Sequence, residues 1–267
     1  MWPSAVRQRA TLGYSGQMTL AIFVICTTAF VGALLQRMAG MGFALVSGPF
    51  IVLVLAPIPG VVLVNILGAV SSVIVFARTW RNVHWKQAGV LIAGALAGTF
   101  PGALLANSMP TSWLNVFIGV LIVGSLATSL YLSRIFDPIK FCSRNAFLFG
   151  LGSGVMNASA GMGGPFLSSY AVLTRWQQVA FAASIQPVFI TVGMASVASK
   201  LVLEEAAWPQ LAPEVWVAVA VSLLAGQVAG DIGARKVPVQ LSRVVMLSLA
   251  MLGGILTILK GVSELMG

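Results

Sequence analysis

The chain has 267 residues, of which 58% are hydrophobic and only 8% are charged, and its mean hydropathy is +0.98. A water-soluble domain carries about a quarter charged residues, so this composition excludes one. The formal charge of +9 would suggest nucleic acid as the partner of a soluble protein, but here the basic residues fall mostly in short loops, where membrane topology explains them better. Residues 1–267 are therefore predicted to form one transmembrane domain that contacts lipid and no nucleic acid.

Ten apolar stretches follow one another along the chain, and helices are the default form for them because lipid offers no partner to open backbone groups. They are residues 18–35, 43–55, 61–76, 88–106 and 113–132, then 146–156, 166–173, 179–198, 215–229 and 244–259. The second and the seventh are too short to span a bilayer, and each follows a glycine-rich break. We predict an all-α polytopic membrane protein in which each short stretch forms a helical hairpin with the stretch before it.

An internal repeat relates the first five stretches to the second five. The segment QRMAGMGF at residues 36–43 recurs as NASAGMGG at residues 157–164, an offset of 121 residues. The same offset pairs Asn65 with Gln186, two amide side chains in otherwise apolar helices. A short Ala-Gly-Met-Gly match is weak by itself, but the matching order of the flanking stretches makes the repeat strong.

The basic loops decide the predicted orientation, because Lys and Arg favour the cytoplasmic side. Four loops contain Arg78, Arg81 and Lys86; Arg134, Lys140 and Arg144; Arg175; and Arg235, Lys236 and Arg243. All four can be cytoplasmic only if each hairpin enters and leaves on one side and is followed by three full spans. Residues 18–132 and 145–262 are then two repeats of inverted topology, and Arg7 and Arg9 are the residues that disagree.

Each break ends one helix and starts another, at about Gly42 in the first repeat and Gly163 in the second. The first N–H groups of a new helix have no intrahelical partner, and the helix dipole places about half a positive charge there. Two such ends at one cavity suit an anion, which bare glycine amides can approach closely. The alternative is that glycines only pack helices together. We predict that packing role for six glycines outside the breaks, namely Gly94, Gly98, Gly150, Gly154, Gly226 and Gly230.

Residues at and around the breaks form the candidate substrate site. They are Gln36, Arg37, Gly40, Gly42, Ser47, Asn65, Asn157, Ser159, Gly161, Gly163, Gly164, Ser168 and Gln186. Arg37 is a charge at membrane depth, for which snorkelling toward a headgroup is an equal alternative. Asn65 and Gln186 can donate hydrogen bonds to an oxyanion or, alternatively, join helices. Asp231 precedes Arg235 by four residues, which is the spacing of a local ion pair.

The motifs AGMGFALVSGP at residues 39–49 and GMGGP at residues 161–165 resemble those of the sulfite exporter TauE/SafE family of membrane permeases. The similarity extends through VHWK at residues 83–86 to PGA at residues 101–103. This resemblance implies about eight spans, a place in the bacterial cytoplasmic membrane, and transport of small sulfur-containing anions such as sulfite or organosulfonates. Arg37 departs from the family, which usually has an apolar or small residue there.

The leading hypothesis is a secondary transporter that exposes a midplane anion site to each side of the membrane in turn. A passive anion channel and a permease for a non-sulfur organic anion are the alternatives. An enzyme is not expected, because the sequence has no plausible nucleophile or His–carboxylate arrangement. The single histidine and the two widely separated cysteines predict no metal site, and no cofactor is expected. A coupling ion and the oligomeric state are left open.

Overall fold

A computed structural model describes residues 4–135 and 140–266, with side chains described at residues 19–127, 140–204 and 206–266. Within these residues the regular structure consists of ten α-helices and two short 3-10 helices, Trp80–Asn82 and Glu205–Ala207. The α-helices are α1 (Ser4–Ala39), α2 (Phe43–Val54), α3 (Pro57–Thr79), α4 (Trp85–Asn107), α5 (Thr111–Ile135), α6 (Ser143–Ala160), α7 (Gly164–Leu173), α8 (Gln178–Leu203), α9 (Pro213–Gly233) and α10 (Val239–Met266). Each predicted stretch corresponds to one of them in the same order, which confirms the all-α fold.

Six helical segments in the described part of the chain are long and apolar enough to cross a membrane. They are Thr19–Ala39, Pro57–Asn82, Trp85–Asn107, Gln178–Leu203, Pro213–Gly233 and Val239–Met266. Their number and hydropathy confirm a multi-pass membrane protein. Three of the basic residues used to predict the orientation have side chains outside the described ones, namely Arg7, Arg9 and Arg134.

The two predicted breaks are present and end their helices in the same way. After α1, Gly40 has φ 85° and donates its N–H to the carbonyl oxygen of Gln36 at 2.8 Å. After α6, Gly161 has φ 78° and donates to the carbonyl oxygen of Asn157 at 2.8 Å. Only glycine adopts this left-handed conformation routinely, so the glycines close the two helices. The chain then turns back into α2 and α7, whose N-cap residues are Gly42 and Gly163.

Helices from the two halves pack against each other in corresponding pairs. α1 packs along α9, and its counterpart α6 packs along α4. α2 contacts α10 as α7 contacts α5, while α3 packs on α8 and α5 on α10. When both helices of a pair are replaced by their counterparts 121 residues away, the result is another of the pairs named here or the same pair. The packing therefore supports the interpretation of the chain as two related halves.

The basic loops gather at one end of this helix bundle. Trp176 stacks on His84 and donates its indole N–H to His84 Nδ1 at 3.2 Å, which joins the loop before α4 to the loop before α8. Arg243, at the start of α10, donates to Gln178 at the start of α8. At the opposite end of α10, the Lys260 ammonium donates to the carbonyl oxygen of Leu53 at 2.9 Å, near the end of α2. The α1–α2 hairpin thus opens toward that end, whereas α6 begins and α7 ends beside the basic loops.

The ion pair predicted between Asp231 and Arg235 is wrong. Asp231 instead accepts hydrogen bonds from Arg37 on α1 and Arg78 on α3. The i,i+4 rule considers only neighbours on one helix, whereas the packing of α9 brings guanidinium groups from two other helices to this carboxylate. The network joins three helix ends beside the basic loops.

Packing glycines hold the closest helix pairs together, as predicted. A Cβ atom on Gly94 or Gly98 of α4 would overlap carbonyl oxygens of α6, and one on Gly154 of α6 would overlap the carbonyl oxygen of Ala95. Gly226 of α9 meets the carbonyl oxygen of Phe30 in the same manner. These helices approach backbone to backbone, which is the usual role of small residues in membrane helix interfaces.

We expect Gly154→Ala to destabilise the fold, since the added methyl group would overlap the backbone of Ala95 on α4. That backbone cannot move without separating α4 from α6. Overpacking of this kind costs about 1–3 kcal/mol, and the melting temperature in detergent should fall accordingly. Gly89→Ala on α4 is the matched control, because no described atom outside the surrounding turns of α4 lies within 4 Å of the added Cβ. That control should melt at or above the wild-type temperature, and equal melting of both variants would contradict the packing argument.

Candidate functional site

A single cavity is lined by residues of both breaks. Its volume is ≈ 40 Å³, counted as the space open to the centres of water-sized molecules. The lining consists of Gln36, Gly42, Phe43, Ala44, Leu45, Val64, Asn65, Gly68, Ala69, Ser72, Asn157, Gly161, Met162, Gly164 and Phe189. These residues come from α1, α2, α3, α6, α7 and α8 or from the breaks between them. We call this space the central cavity.

Four buried amide side chains form two equivalent hydrogen-bonded pairs at the central cavity, and three of them, Gln36, Asn65 and Asn157, belong to its lining. Gln36 Nε2 donates to Gln186 Oε1 at 3.3 Å, and Asn157 Nδ2 donates to Asn65 Oδ1 at 2.6 Å. The repeat offset relates Gln36 to Asn157 and Asn65 to Gln186, so the same bond forms twice with the halves exchanged. Each pair links the helix before one break to the long helix of the other half.

Most hydrogen atoms of these amides are used within the protein. Gln186 Nε2 donates to the carbonyl oxygens of Gly40 at 3.0 Å and Ala182 at 2.7 Å. Asn65 Nδ2 donates to the carbonyl oxygen of Val61 at 2.9 Å and to Ser196 Oγ at 3.4 Å. Both residues therefore make the helix-joining bonds that were the alternative to ligand contact. Gln186 stands behind the cavity rather than in its lining.

The donors left for a ligand come mainly from the first turn of α2. Phe43, Ala44 and Leu45 line the cavity. Because they form the first turn of α2, their N–H groups have no carbonyl oxygen within the helix to which they can donate. Gly42, as N-cap, has no side chain to satisfy them. Asn157 Nδ2 makes one of the two hydrogen bonds available to it among the described residues, and no charged side chain belongs to the lining described above. The cavity offers neutral donors together with the positive end of a helix dipole.

The α7 side of the cavity offers fewer donors. Gly163 N–H already donates to Asn157 Oδ1 at 3.3 Å, and Pro165 has no N–H. A Cβ on Gly163 would lie 2.7 Å from the backbone oxygen of Ser153, so this glycine serves the turn itself. Gly164 differs, because a Cβ there would meet only Leu45 and Phe189 of the lining, each at 3.8 Å.

The remaining predicted site residues lie outside the lining. Arg37 is paired with Asp231, and Gly40 packs closely on Ala182. Ser47 donates to the carbonyl oxygen of Thr28 at 2.7 Å, which ties α2 to α1. Two further residues take up other positions. Ser159 donates to its own helix at Val155, 2.8 Å away, and Ser168 lines a second, larger cavity.

Four lining residues of α3 were missed by the sequence interpretation, namely Val64, Gly68, Ala69 and Ser72. Gly68, Ala69 and Ser72 follow Asn65 at three, four and seven residues, so these three lie on the same helix face as Asn65. Ser72 Oγ accepts a hydrogen bond from Gln36 Nε2 at 3.2 Å. The helical spacing from Asn65 was the signal that would have found Gly68, Ala69 and Ser72.

The sequence interpretation also missed Lys200, because this residue lies just beyond the predicted stretch on α8. Its side chain is completely buried, and Nζ has no hydrogen-bond partner among the described residues. It stands one helical turn after Ser196, which is bonded to Asn65 of the central cavity. A charged group without a hydrogen-bond partner in a spanning helix is costly to the stability of the fold.

We expect Lys200→Met to raise the melting temperature in detergent, since it keeps the length of the side chain and removes an unsatisfied buried group worth about 1–3 kcal/mol. Lys260→Met is the control, because the Lys260 ammonium is partnered by Leu53 and lies near Glu264. That variant should melt at or below the wild-type temperature. A Lys200→Met protein that is less stable than wild type would mean that Lys200 has a structural partner.

Comparison with known proteins matches residues 24–257 to the model of the family described as sulfite exporter TauE/SafE. Neither the curated proteins nor the solved structures give a match to the chain. The matched range begins within α1 and ends within α10, so it includes both breaks and the whole central cavity. The protein is an integral, multi-pass membrane protein and belongs to the sulfite exporter TauE/SafE family of transporters.

Proposed function

We propose that the protein is a secondary transporter of small anions and that the central cavity is its binding site. The observation that carries the proposal is the meeting of both helix breaks at one cavity with neutral hydrogen-bond donors and no charged lining residue. Backbone amides at helix starts bind oxyanions well. Neutral donors bind an anion less tightly than a buried guanidinium group would, so the anion can still be released.

The size of the central cavity favours a small oxyanion. One water needs about 10–15 Å³ on the same measure, so ≈ 40 Å³ holds roughly three waters or one ion of a few heavy atoms. Sulfite is of that size and is our first candidate. Organosulfonates are larger and would require the cavity to open further.

Alternating access is proposed as the mechanism, with two inverted repeats moving about the central cavity. The two amide pairs, Gln36 with Gln186 and Asn157 with Asn65, join each hairpin to the opposite half, so movement of one half changes the cavity walls. The basic end of the bundle is assigned to the cytoplasm by the positive-inside rule. The membrane is proposed to be the cytoplasmic membrane of a bacterium.

Gly164→Ala and Gly68→Ala test the central cavity directly. Each adds one methyl group that meets lining residues at 3.8 and 3.6 Å respectively, without overlap. We expect sulfite to bind about tenfold more weakly to each variant, a loss of about 1.4 kcal/mol, because the methyl group takes space from a cavity of ≈ 40 Å³. The measurement is isothermal titration of sulfite into the purified protein.

Gly89→Ala is again the control, and it should bind sulfite with wild-type affinity. Melting temperatures of all three variants should stay close to that of wild type, which separates loss of binding from loss of fold. Wild-type affinity in both Gly164→Ala and Gly68→Ala would contradict the assignment of the site.

A transport assay in proteoliposomes distinguishes the transporter from a channel and from a permease for other anions. We expect sulfite uptake to saturate with concentration and to be stimulated by sulfite inside the vesicles, because a carrier returns faster when loaded. Sulfate, thiosulfate, sulfonates and carboxylates should be compared under imposed pH and voltage gradients, which also reveals a coupling ion. Uptake that rises linearly and shows no counterflow would instead indicate a channel.

A further inference from the structure

A second cavity lies at the basic end of the bundle, beside the first break. Its volume is ≈ 360 Å³ on the same measure as the ≈ 40 Å³ of the central cavity. Residues of α7, α8 and α10 and of the turn between α7 and α8 form most of its walls. The two cavities share Leu45 and no other lining residue. We call this larger space the basic vestibule.

Two guanidinium groups, of Arg175 and Arg243, line the basic vestibule, and none of the described lining residues is acidic. Arg243 donates to Gln178 Oε1, while its Nε is buried and has no hydrogen-bond partner among the described residues. This differs from Arg37, which is neutralised by an aspartate at the same end of the bundle. The vestibule therefore retains uncompensated positive charge, with a guanidinium suited to the paired oxygens of an oxyanion.

The rest of the vestibule wall is mainly apolar. Trp176 and Phe181 line it together with Leu126, Leu247 and Met246. A small hydrated ion would leave this surface unused, since the volume is far larger than such an ion requires. A ligand that fills the space would bury an apolar body against these side chains while its head contacts the arginines.

We propose that the basic vestibule is a binding site for an amphipathic organic anion, with its anionic head on Arg243 and Arg175 and its apolar body against Trp176 and Phe181. The head can be a sulfonate, carboxylate or phosphate, because each offers the oxygens that a guanidinium binds. A free organic anion and an anionic lipid share this chemistry. The proposal concerns a site separate from the central cavity.

Occupancy of the vestibule also affects the first break, because the same side chains touch both. Gln178, the partner of Arg243, donates to the carbonyl oxygen of Ala39 at 3.1 Å, at the end of α1. Met246 lies where a side chain on Gly42 would project, so it covers the turn into α2. A ligand bound to Arg243 therefore holds the break in its present conformation and slows exchange of the central anion. This consequence, unlike the binding itself, rests on the proposed transport function.

The test is titration of 1-hexanesulfonate into the purified full-length protein in nanodiscs of phosphatidylcholine. Methanesulfonate has the same head without the body, and 1-hexanol has a similar body without the charge. We expect hexanesulfonate to bind at least about tenfold more tightly than either, because both halves of the ligand contribute. Equal affinity for methanesulfonate and hexanesulfonate would overturn the proposal.

Variants locate the site within the protein. Arg243→Met and Arg175→Met should each weaken hexanesulfonate binding by about tenfold or more, which corresponds to about 1.4 kcal/mol. Arg235→Met is the matched control, since Arg235 is a basic residue at the same end of the bundle but is not part of the lining. Arg243→Lys keeps the positive charge but loses the paired N–H donors of the guanidinium group. Its affinity for hexanesulfonate should lie between those of wild type and Arg243→Met. This intermediate value would show that the loss in the methionine variant is not a folding defect. Wild-type binding by both Arg243→Met and Arg175→Met would overturn the proposal.

The source of the ligand is decided by repeating the titration in nanodiscs that contain phosphatidylglycerol. Weaker binding of hexanesulfonate to the wild type in these nanodiscs, caused by competition, assigns the site to a lipid headgroup, and unchanged binding assigns it to a soluble anion; either result supports the chemistry of the site. Gly164→Ala, which narrows only the central cavity, should leave hexanesulfonate binding intact. Failure of the central-cavity proposal and failure of the vestibule proposal are thus observed in different variants.

Discussion

A helix that ends in the buried interior of a membrane protein must find partners for the backbone groups it releases, because neither lipid nor apolar side chains supply any and each unsatisfied group costs several kcal/mol. This constraint explains the polar residues around the two breaks. Gly40 and Gly161 return their N–H groups to the preceding helical turn. The carbonyl oxygen of Gly40 is satisfied by Gln186, and the N–H of Gly163 by Asn157. Each break is therefore stabilised by amides, one of which comes from the other half of the chain.

Among the described residues, no charged side chain lines the central cavity. Arg37, only three residues before the first break, is turned to Asp231, which also holds Arg78. The pairing of Arg37 with Asp231 fits the proposed transport role, in which the site must release its ligand. A full charge in a low-dielectric cavity would bind an anion far more strongly than amide dipoles do. The uncompensated arginines instead line the wider vestibule at the basic end.

Local features of the sequence predicted the helices, both breaks and the packing glycines, because each depends on hydropathy or on a conformation that only glycine adopts readily. What they did not predict depends on which helices meet. Asp231 has a basic residue four positions away but is paired across helices, and Lys200 is buried by packing rather than by its own neighbours. Ser47 and Ser168 are related by the repeat yet have different surroundings, since Ser47 bonds to α1 and Ser168 faces the vestibule. Their positions depend on tertiary packing, which the sequence repeat alone does not predict.

The two halves contribute unequally to the central cavity although the breaks are alike. The start of α2 presents three first-turn residues to the cavity, whereas α7 has a proline in its first turn and the amide before it is already bonded to Asn157. A bound anion would therefore lie nearer to the first hairpin. The vestibule also contacts the first break, through Gln178 and Met246. The first hairpin thus connects the two cavities, and the second supplies the opposing wall of the central cavity.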